Sequence, residues 1–319
     1  MIGIDVQKAA ELLKSGKVVA IPTETVYGLA ANALDDNAVL TIFEVKNRPF
    51  FDPLIIHVSD YEEIVKYVKN VPKFLDKLAQ HFLPGPLTLL LEKKEFVPYL
   101  ITSGSPYVAI RVPGHPMTQE LLKLLNFPLA APSANPFGYL SPTTAKHVYD
   151  QLGDKIPYIL DGGPCEVGLE STIVGFENNR PTIFRKGGIA IEELEEVIGY
   201  SFDVKPHSTS SPQAPGMLTT HYAPKVALTI VQDEDDWKKI SPKNNVGVLR
   251  VSSYLPNYPK ENQKILSASG DVREAARNLF AYLRILDDMN LEQIFVELLP
   301  EKGLGMAIND RLIRAAIKE

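Results

Sequence analysis

Apolar residues recur along this chain in two rhythms, one helical and one strand-like. Near the start, Val6, Ala9, Ala10 and Leu13 repeat at helical spacing behind Asp5, whose side chain can accept from the free N–H groups of a first turn, and Gly16 supplies a stop. The run "VVAIP" then reads as a buried strand. Asp35 and Asp36 precede a second helical stretch through Val39, Ile42 and Phe43, which Pro49 is expected to end because proline disfavours helix in the residue before it. Short strands are predicted at "LIIHV", "LTLLL", "YVAIRV", "PLAAP", "YILDG", "STIVGF" and "PTIFR", with helices over 116–125 and 143–152 among them. Several strands follow one another without a helix between them. That pattern predicts a twisted mixed sheet flanked by helices.

The rhythm changes after residue 207. "HSTSSPQAP" has linker composition, with little apolar surface to hold it in a core. Beyond it come "KVALTIV", "NVGVLRV", "QKILSAS", a long helix from Asp271 carrying Ala276, Leu279, Leu283 and Leu286, the strand "IFVELL" and a last helix. The alternation predicts a smaller α/β domain of Rossmann-like character. The expected division is residues 1–203, a Ser/Pro-rich linker over 204–224, and residues 225–319.

A hydrophobic content of 45% with 23% charged residues is that of a globular chain with a sizeable core. "LTLLL" is too short to span a membrane and the first residues are amphipathic, so the expected compartment is the cytoplasm, with no membrane partner. A single cysteine, Cys165, excludes an intramolecular disulfide and any multi-cysteine zinc cluster. It lies in the turn-like "DGGPCEVG" and reads as incidental, just as Trp237 reads as a packing residue of the second domain's first helix. The net charge of −6 opposes broad attraction to nucleic acid. From Lys225 onward 14 Lys and Arg balance 14 Asp and Glu, so the deficit lies entirely before that point. A basic cluster in that acidic first part suits a compact anion better than a polyanion.

No phosphate loop of the form G-x-x-x-x-G-K-[ST], no G-x-G-x-x-G, no H-E-x-x-H and no G-x-S-x-G occurs. Polar groups gather instead at strand ends, where ligands of open α/β sheets bind. Lys46 and Arg48 follow the second helix; Thr23, Glu24 and Thr25 follow "VVAIP"; Ser133 and Asn135 follow "PLAAP"; Arg111 and Arg185 end their strands, and His57 ends "LIIH". Taken singly, each has a plainer explanation: a solvated turn for Lys46 and Arg48, turn chemistry for Ser133 and Asn135, a surface cation at Arg111, a structural imidazole at His57. Jointly they can hold phosphates or a carboxylate in forked hydrogen bonds.

The blocks "PTETVYGLAANA", "KNRPFFDPLIIHV", "PGPLTLLL", "VAIRVPGHP", "AAPSANPFGYLSPTT", "LESTIVGF" and "FRKGGI", in this order, resemble the YrdC domain of L-threonylcarbamoyl-AMP synthases. The resemblance runs from about residue 5 to residue 198, and "PGMLTTHYAP" with the domain after it is similar to the longer, two-domain members. It implies a nucleotidyltransferase that makes threonylcarbamoyl-adenylate and pyrophosphate from L-threonine, bicarbonate or carbon dioxide, and ATP with magnesium, the metal held mainly by the phosphates. The product would serve threonylcarbamoyl modification of the adenosine beside the anticodon in tRNAs reading codons that begin with A. A downstream transferase complex would carry out the transfer, so strong tRNA binding is not expected of this chain.

The resemblance also implies roles by motif. Thr25, His57, Arg111, Ala131 and Ser171 would contact threonine, Arg111 facing its carboxylate and Ala131 acting through its backbone. Arg48, Asp52, Tyr107, Ser133, Asn135, Ser141 and Arg185 would surround the nucleotide, with Lys46 between the substrates and Lys46 and Arg48 offsetting charge during catalysis. Tyr222 resembles the residue that closes over the nucleotide. Two positions depart from the family pattern: Asp52, where asparagine is common, and Leu218 with Thr219, where many relatives carry Lys-Tyr. Two rivals remain at this stage. One is a module binding structured RNA; the other is a carbamoyltransferase of the hydrogenase-maturation type, a class that also carries zinc-finger cysteines.

Overall fold

The structure is a computed structural model and describes residues 1–178, 180–207, 212–240 and 245–317. It divides into two compact units, the larger comprising residues 1–137, 141–166 and 170–218 and the smaller residues 138–140, 167–169 and 219–319. The larger unit contains strands β1 (Ile2–Gly3), β2 (Val19–Ile21), β3 (Gly28–Asn32), β4 (Ile55–His57), β5 (Leu87–Glu92), β6 (Tyr107–Arg111), β7 (Leu129–Ala130), β8 (Ile159–Leu160), β9 (Thr172–Glu177), β10 (Arg180–Arg185) and β11 (Asp203–Val204). Its helices are α1 (Val6–Lys14), α2 (Asp36–Lys46), α3 (Tyr61–Tyr67), α4 (Lys73–Phe82), α5 (Tyr99–Thr102), α6 (Pro116–Lys123), α7 (Ala145–Leu152) and α8 (Ile191–Ile198). The strands form one sheet in the order β1-β8-β2-β3-β7-β4-β6-β5-β9-β10-β11. Its pairings are mixed: β4 and β6 run parallel, as do β5 and β9, whereas β7 is antiparallel to β4 and β5 to β6.

Local chemistry explains the helix boundaries. Asp5 caps α1 by accepting from the Lys8 N–H at 2.9 Å, and Asp35 caps α2 by accepting from Asn37 and Ala38. The stop of α2 corrects the expectation from Pro49. Asn47, left-handed at φ 52°, turns the chain two residues earlier, and its N–H bonds back to Phe43 and Glu44 carbonyls. Asparagine tolerates this conformation where most residues do not. Lys46 is therefore the last helical residue and Arg48 the first beyond the turn.

Sheet parity separates two faces. Ile56, Leu89, Ile110 and Val174 point to one of them and pack with the apolar stripes of α2, α4, α7 and α8 in the main core. On the opposite face, α1 and α6 cover Val19, Ile21, Ala30 and Leu129. Farther along it, Ala214 and Met217 pack on Ile55, Leu90, Ala109, Ile173 and Phe184. This corrects the expectation that "HSTSSPQAP" lacks core contact: residues 208–211 lie outside the described residues, but Ala214 is fully buried.

The smaller unit is built on a parallel sheet of β12 (Ala227–Val231), β13 (Val246–Arg250), β14 (Gln263–Ile265) and β15 (Gln293–Glu297), ordered β12-β15-β13-β14. With α9 (Glu234–Lys239), α10 (Val272–Asp287) and α11 (Leu304–Ala316) it has the alternating α/β character read from the sequence. Trp237 of α9 packs with Val231, Val246 and Val248.

One glycine ties the end of β10 to the start of β9. A Cβ on Gly187 would lie 2.3 Å from the Glu170 carbonyl oxygen and 2.5 Å from the Ser171 carbonyl carbon. Backbone on both sides leaves no room to yield. Gly187→Ala is expected to cost about 1–3 kcal/mol of stability, the range for forced overpacking, measured by urea unfolding; an unchanged midpoint would show that the two strand ends move apart freely.

Candidate functional site

The site is built along β4 and the loops at its two ends. His57 and Arg111 lie opposite one another in the parallel β4–β6 pair, on the same face as Ile55 and Ala109. Arg111 is buried and has three protein acceptors: Nε donates to the Gly85 carbonyl at 3.1 Å, one terminal nitrogen to Thr25 Oγ1 at 2.9 Å, and the other to Glu24 Oε1 at 2.6 Å. Thr25 Oγ1 also pairs with Thr23 Oγ1 at 2.8 Å. His57 is buried with Nδ1 3.3 Å from the Ile55 carbonyl. Burial, assisted by the positive charge of Arg111, pushes its pKa down to about 3. A neutral imidazole beside a cation suits an uncharged or anionic neighbour.

Ser171 extends this cluster across the same face. Its hydroxyl pairs with Thr88 Oγ1 at 2.7 Å and accepts from Arg185 at 3.0 Å, while its carbonyl accepts from Arg185 Nε at 3.1 Å. Arg185 also donates to the Pro215 carbonyl at 3.2 Å. Plain alternation along β10 would send Arg185 to the helical face, because Ile183 packs in the main core. A β-bulge between Ile183 and Arg185 sets Arg185 opposite Ile173 instead, turning its side chain toward Ser171.

Lys46 and Arg48 stand at the other end of β4. Arg48 donates through Nε to the Asp52 carbonyl at 3.1 Å and through a terminal nitrogen to the Pro53 carbonyl at 2.7 Å, and it pairs with the Asp52 carboxylate at 2.9 Å. Asp52 is thus placed to hold a guanidinium. Lys46 donates to the carbonyls of Ser133 and Asn135 in the turn after β7. Its burial, with Arg48 alongside, lowers the ammonium pKa well below the usual lysine value. The Ala131 N–H is taken by the Ile55 carbonyl at 3.1 Å, which leaves its carbonyl as the backbone group it can offer a ligand. Pro53 and His57 are four residues apart, so these two points of the chain lie no more than about 13 Å apart at roughly 3.3 Å per residue.

The remaining candidates are more scattered. The buried hydroxyl of Ser141 donates to Glu170. Tyr107 begins β6 at the end away from Arg111, is 39% exposed, and lines a pocket of about 340 Å³ with Leu90, Phe184 and Gln213. Tyr222 belongs to the smaller unit, where it is buried at φ 65° with the Arg311 and Arg314 guanidinium groups 5.0 and 4.8 Å from its ring centre. Cys165 is buried, and burial with the nearby Glu24 charge raises its thiol pKa. Thr88 escaped the residue-by-residue reading, and Glu24 figures in it only among the polar groups at strand ends, without a role of its own. Glu24 lies inside "PTET", but nothing in that run foretells which distant cation it will meet.

The depressed pKa gives a check on this geometry. His57 is expected to stay neutral from pH 8 to 5 in a proton-detected imidazole titration, whereas an unperturbed imidazole in a model peptide has a midpoint of about 6.5. Its linkage follows: stability from this group is complete above about 6.5 and falls as the pH drops towards 3, at up to about 1.4 kcal/mol per pH unit. A His57 midpoint above 6 would contradict the burial described.

Comparison with known proteins identifies the family. Residues 11–187 match the Sua5/YciO/YrdC family, described as Telomere recombination, and residues 189–317 match the family described as Threonylcarbamoyl-AMP synthase, C-terminal domain. The chain is 41% identical to a threonylcarbamoyl-AMP synthase of Pyrococcus abyssi, over 97% of this chain and 93% of that protein. It is 38% identical to one of Bacillus subtilis, over 98% of this chain and 92% of the relative. The crystal structure of P. abyssi Sua5 complexed with L-threonine superposes with a TM-score of 0.90 at 41% identity, covering 98% of this chain and 94% of the other. The chain belongs to the Sua5/YciO/YrdC family, in the two-domain form whose curated relatives are threonylcarbamoyl-AMP synthases.

Proposed function

We propose that this protein is an L-threonylcarbamoyladenylate synthase, joining L-threonine, bicarbonate or carbon dioxide, and ATP into threonylcarbamoyl-AMP and pyrophosphate. The observation that carries the reading is a pair of basic groups at the two ends of β4, Arg111 of β6 beside neutral His57 at one and Lys46 with Arg48 at the other. An amino acid fits the first and a triphosphate the second. The identity to named synthases over nearly the whole chain supports it.

In this reading the threonine amine adds to carbon dioxide, loses a proton and becomes a carbamate. A carbamate oxygen then attacks the α-phosphate, the bond to the β-phosphate breaks, and pyrophosphate leaves. Two like charges 4 Å apart repel by about 4 kcal/mol at an effective dielectric constant near 20. Fixed cations must offset that repulsion, and positioning with electrostatics is the main source of rate in such transfers. Arg48 and Lys46 take this role, with no protein nucleophile. Burial lowers the Lys46 pKa, and the negative charge of an arriving triphosphate acts in the opposite direction, favouring the charged ammonium.

Magnesium would arrive with ATP. Asp52, the carboxylate nearest Arg48, is engaged by that guanidinium, and among the described residues no group of three His, Cys, Asp or Glu side chains stands where it could hold a metal. In this reading the phosphates would supply most of the metal's ligands, and magnesium would screen charge that Lys46 and Arg48 leave uncovered. The product would pass to a downstream transferase complex that modifies tRNA adenosine. No helix among the described residues is long and apolar enough to cross a membrane.

Pyrophosphate release from ATP and magnesium is expected only when L-threonine and bicarbonate are both present, with a threonylcarbamoyl-adenylate mass in the product. Bound ATP without release, together with salt-dependent tRNA binding, would point to an RNA-binding module instead. Arg48→Ala and Ser133→Ala are each expected to lower turnover by about 100-fold or more with folding intact, since loss of one positioned donor commonly costs that much. Near-normal turnover in either would remove that residue from the site.

A further inference from the structure

We infer that Glu24 is a positioning residue for amino-acid recognition, acting through Arg111; the inference rests on the reading that Arg111 faces the threonine carboxylate. Glu24 lies in the loop between β2 and β3, with its side chain 12% exposed. One carboxylate oxygen accepts from Arg111 at 2.6 Å and the other accepts from the Gly114 N–H at 2.9 Å. A single side chain therefore clamps the guanidinium and the loop that follows β6. Thr25 Oγ1 and the Gly85 carbonyl complete the set, so three acceptors from two loops fix the guanidinium plane.

A guanidinium carries five N–H groups in a rigid fork. The three bonds described consume one on each nitrogen and leave one N–H on each terminal nitrogen. Both remaining protons lie in the plane that Glu24 helps to set, so Glu24 fixes the plane in which a carboxylate can be met by two bonds. Charge matters as well. Arg111 and Glu24 together are neutral, so an arriving carboxylate is recognised by direction more than by net attraction, and anions of other shape gain little from the site.

The test separates an effect through Arg111 from general damage. Glu24→Gln keeps the shape and removes the charge, and its amide N–H repels the donors it faces. In pyrophosphate release assays its KM for L-threonine is expected to rise about tenfold or more, with kcat and the KM for ATP changed less than about threefold. L-Threoninol, which keeps the amine and side chain but lacks the carboxylate, is expected to inhibit the variant as well as it inhibits the parent. Equal weakening of threonine and threoninol, or of neither, would overturn the inference. Arg111→Met isolates the underlying assignment: threonine affinity lost there but retained in Glu24→Gln overturns the role of Glu24 alone, while affinity retained in Arg111→Met overturns the reading of the carboxylate site itself. Thermal unfolding checks each variant. Glu24→Asp, which keeps the charge and shortens the reach by one methylene, carries the same comparison should Glu24→Gln fail to fold.

Discussion

A guanidinium buried in a sheet needs acceptors brought to it, and much of the larger unit is arranged around that demand at Arg111. The loop after β2 brings Glu24 and Thr25 to it, and the turn before β5 brings the Gly85 carbonyl. Leaving a buried cation unpaired costs several kcal/mol. The three contacts therefore hold the two loops together as firmly as they hold the side chain. Burial suppresses protonation of His57 and the same cation adds to the effect, so that end of the site holds a neutral imidazole beside a fixed charge.

The other end follows a different logic. Lys46 and Arg48 are held mainly by carbonyl oxygens, of Ser133 and Asn135 for the lysine and of Asp52 and Pro53 for the arginine. Carbonyl dipoles orient a cation without cancelling its charge. Asp52 does cancel part of it, lowering the local positive field. The contrast fits the two anions expected: a carboxylate needs direction, and a triphosphate needs charge.

Between the ends lies an apolar stretch of the same face, formed by Ile55, Ala109, Leu90 and Ile173 beneath Ala214 and Met217. Covering it excludes water from the region beside the polar groups, where lower dielectric strengthens each electrostatic contact. Pro215 sits between those two apolar residues and takes a hydrogen bond from Arg185. Packing and polar anchoring thus come from one short segment.

Much of this was legible in the sequence. Helix caps at Asp5 and Asp35 depend on neighbours a few residues away, and apolar periodicity depends on burying one face, so both were readable in order along the chain. The motif blocks carried the candidate residues for the same reason, since each is a short local run. What the sequence could not express is pairing across distance. The Glu24–Arg111 contact spans 87 residues. The β-bulge that turns Arg185 toward Ser171 exists only because β9 lies beside β10, and it reverses the face that alternation predicts. The Ser/Pro-rich composition around residue 212 suggested a solvated linker, yet Ala214 is buried because an apolar sheet face lies beneath it. Residue type and local spacing determined which groups were available for chemistry; only tertiary structure decided which of them meet, because the direction of a buried charge is set by acceptors brought from elsewhere in the fold.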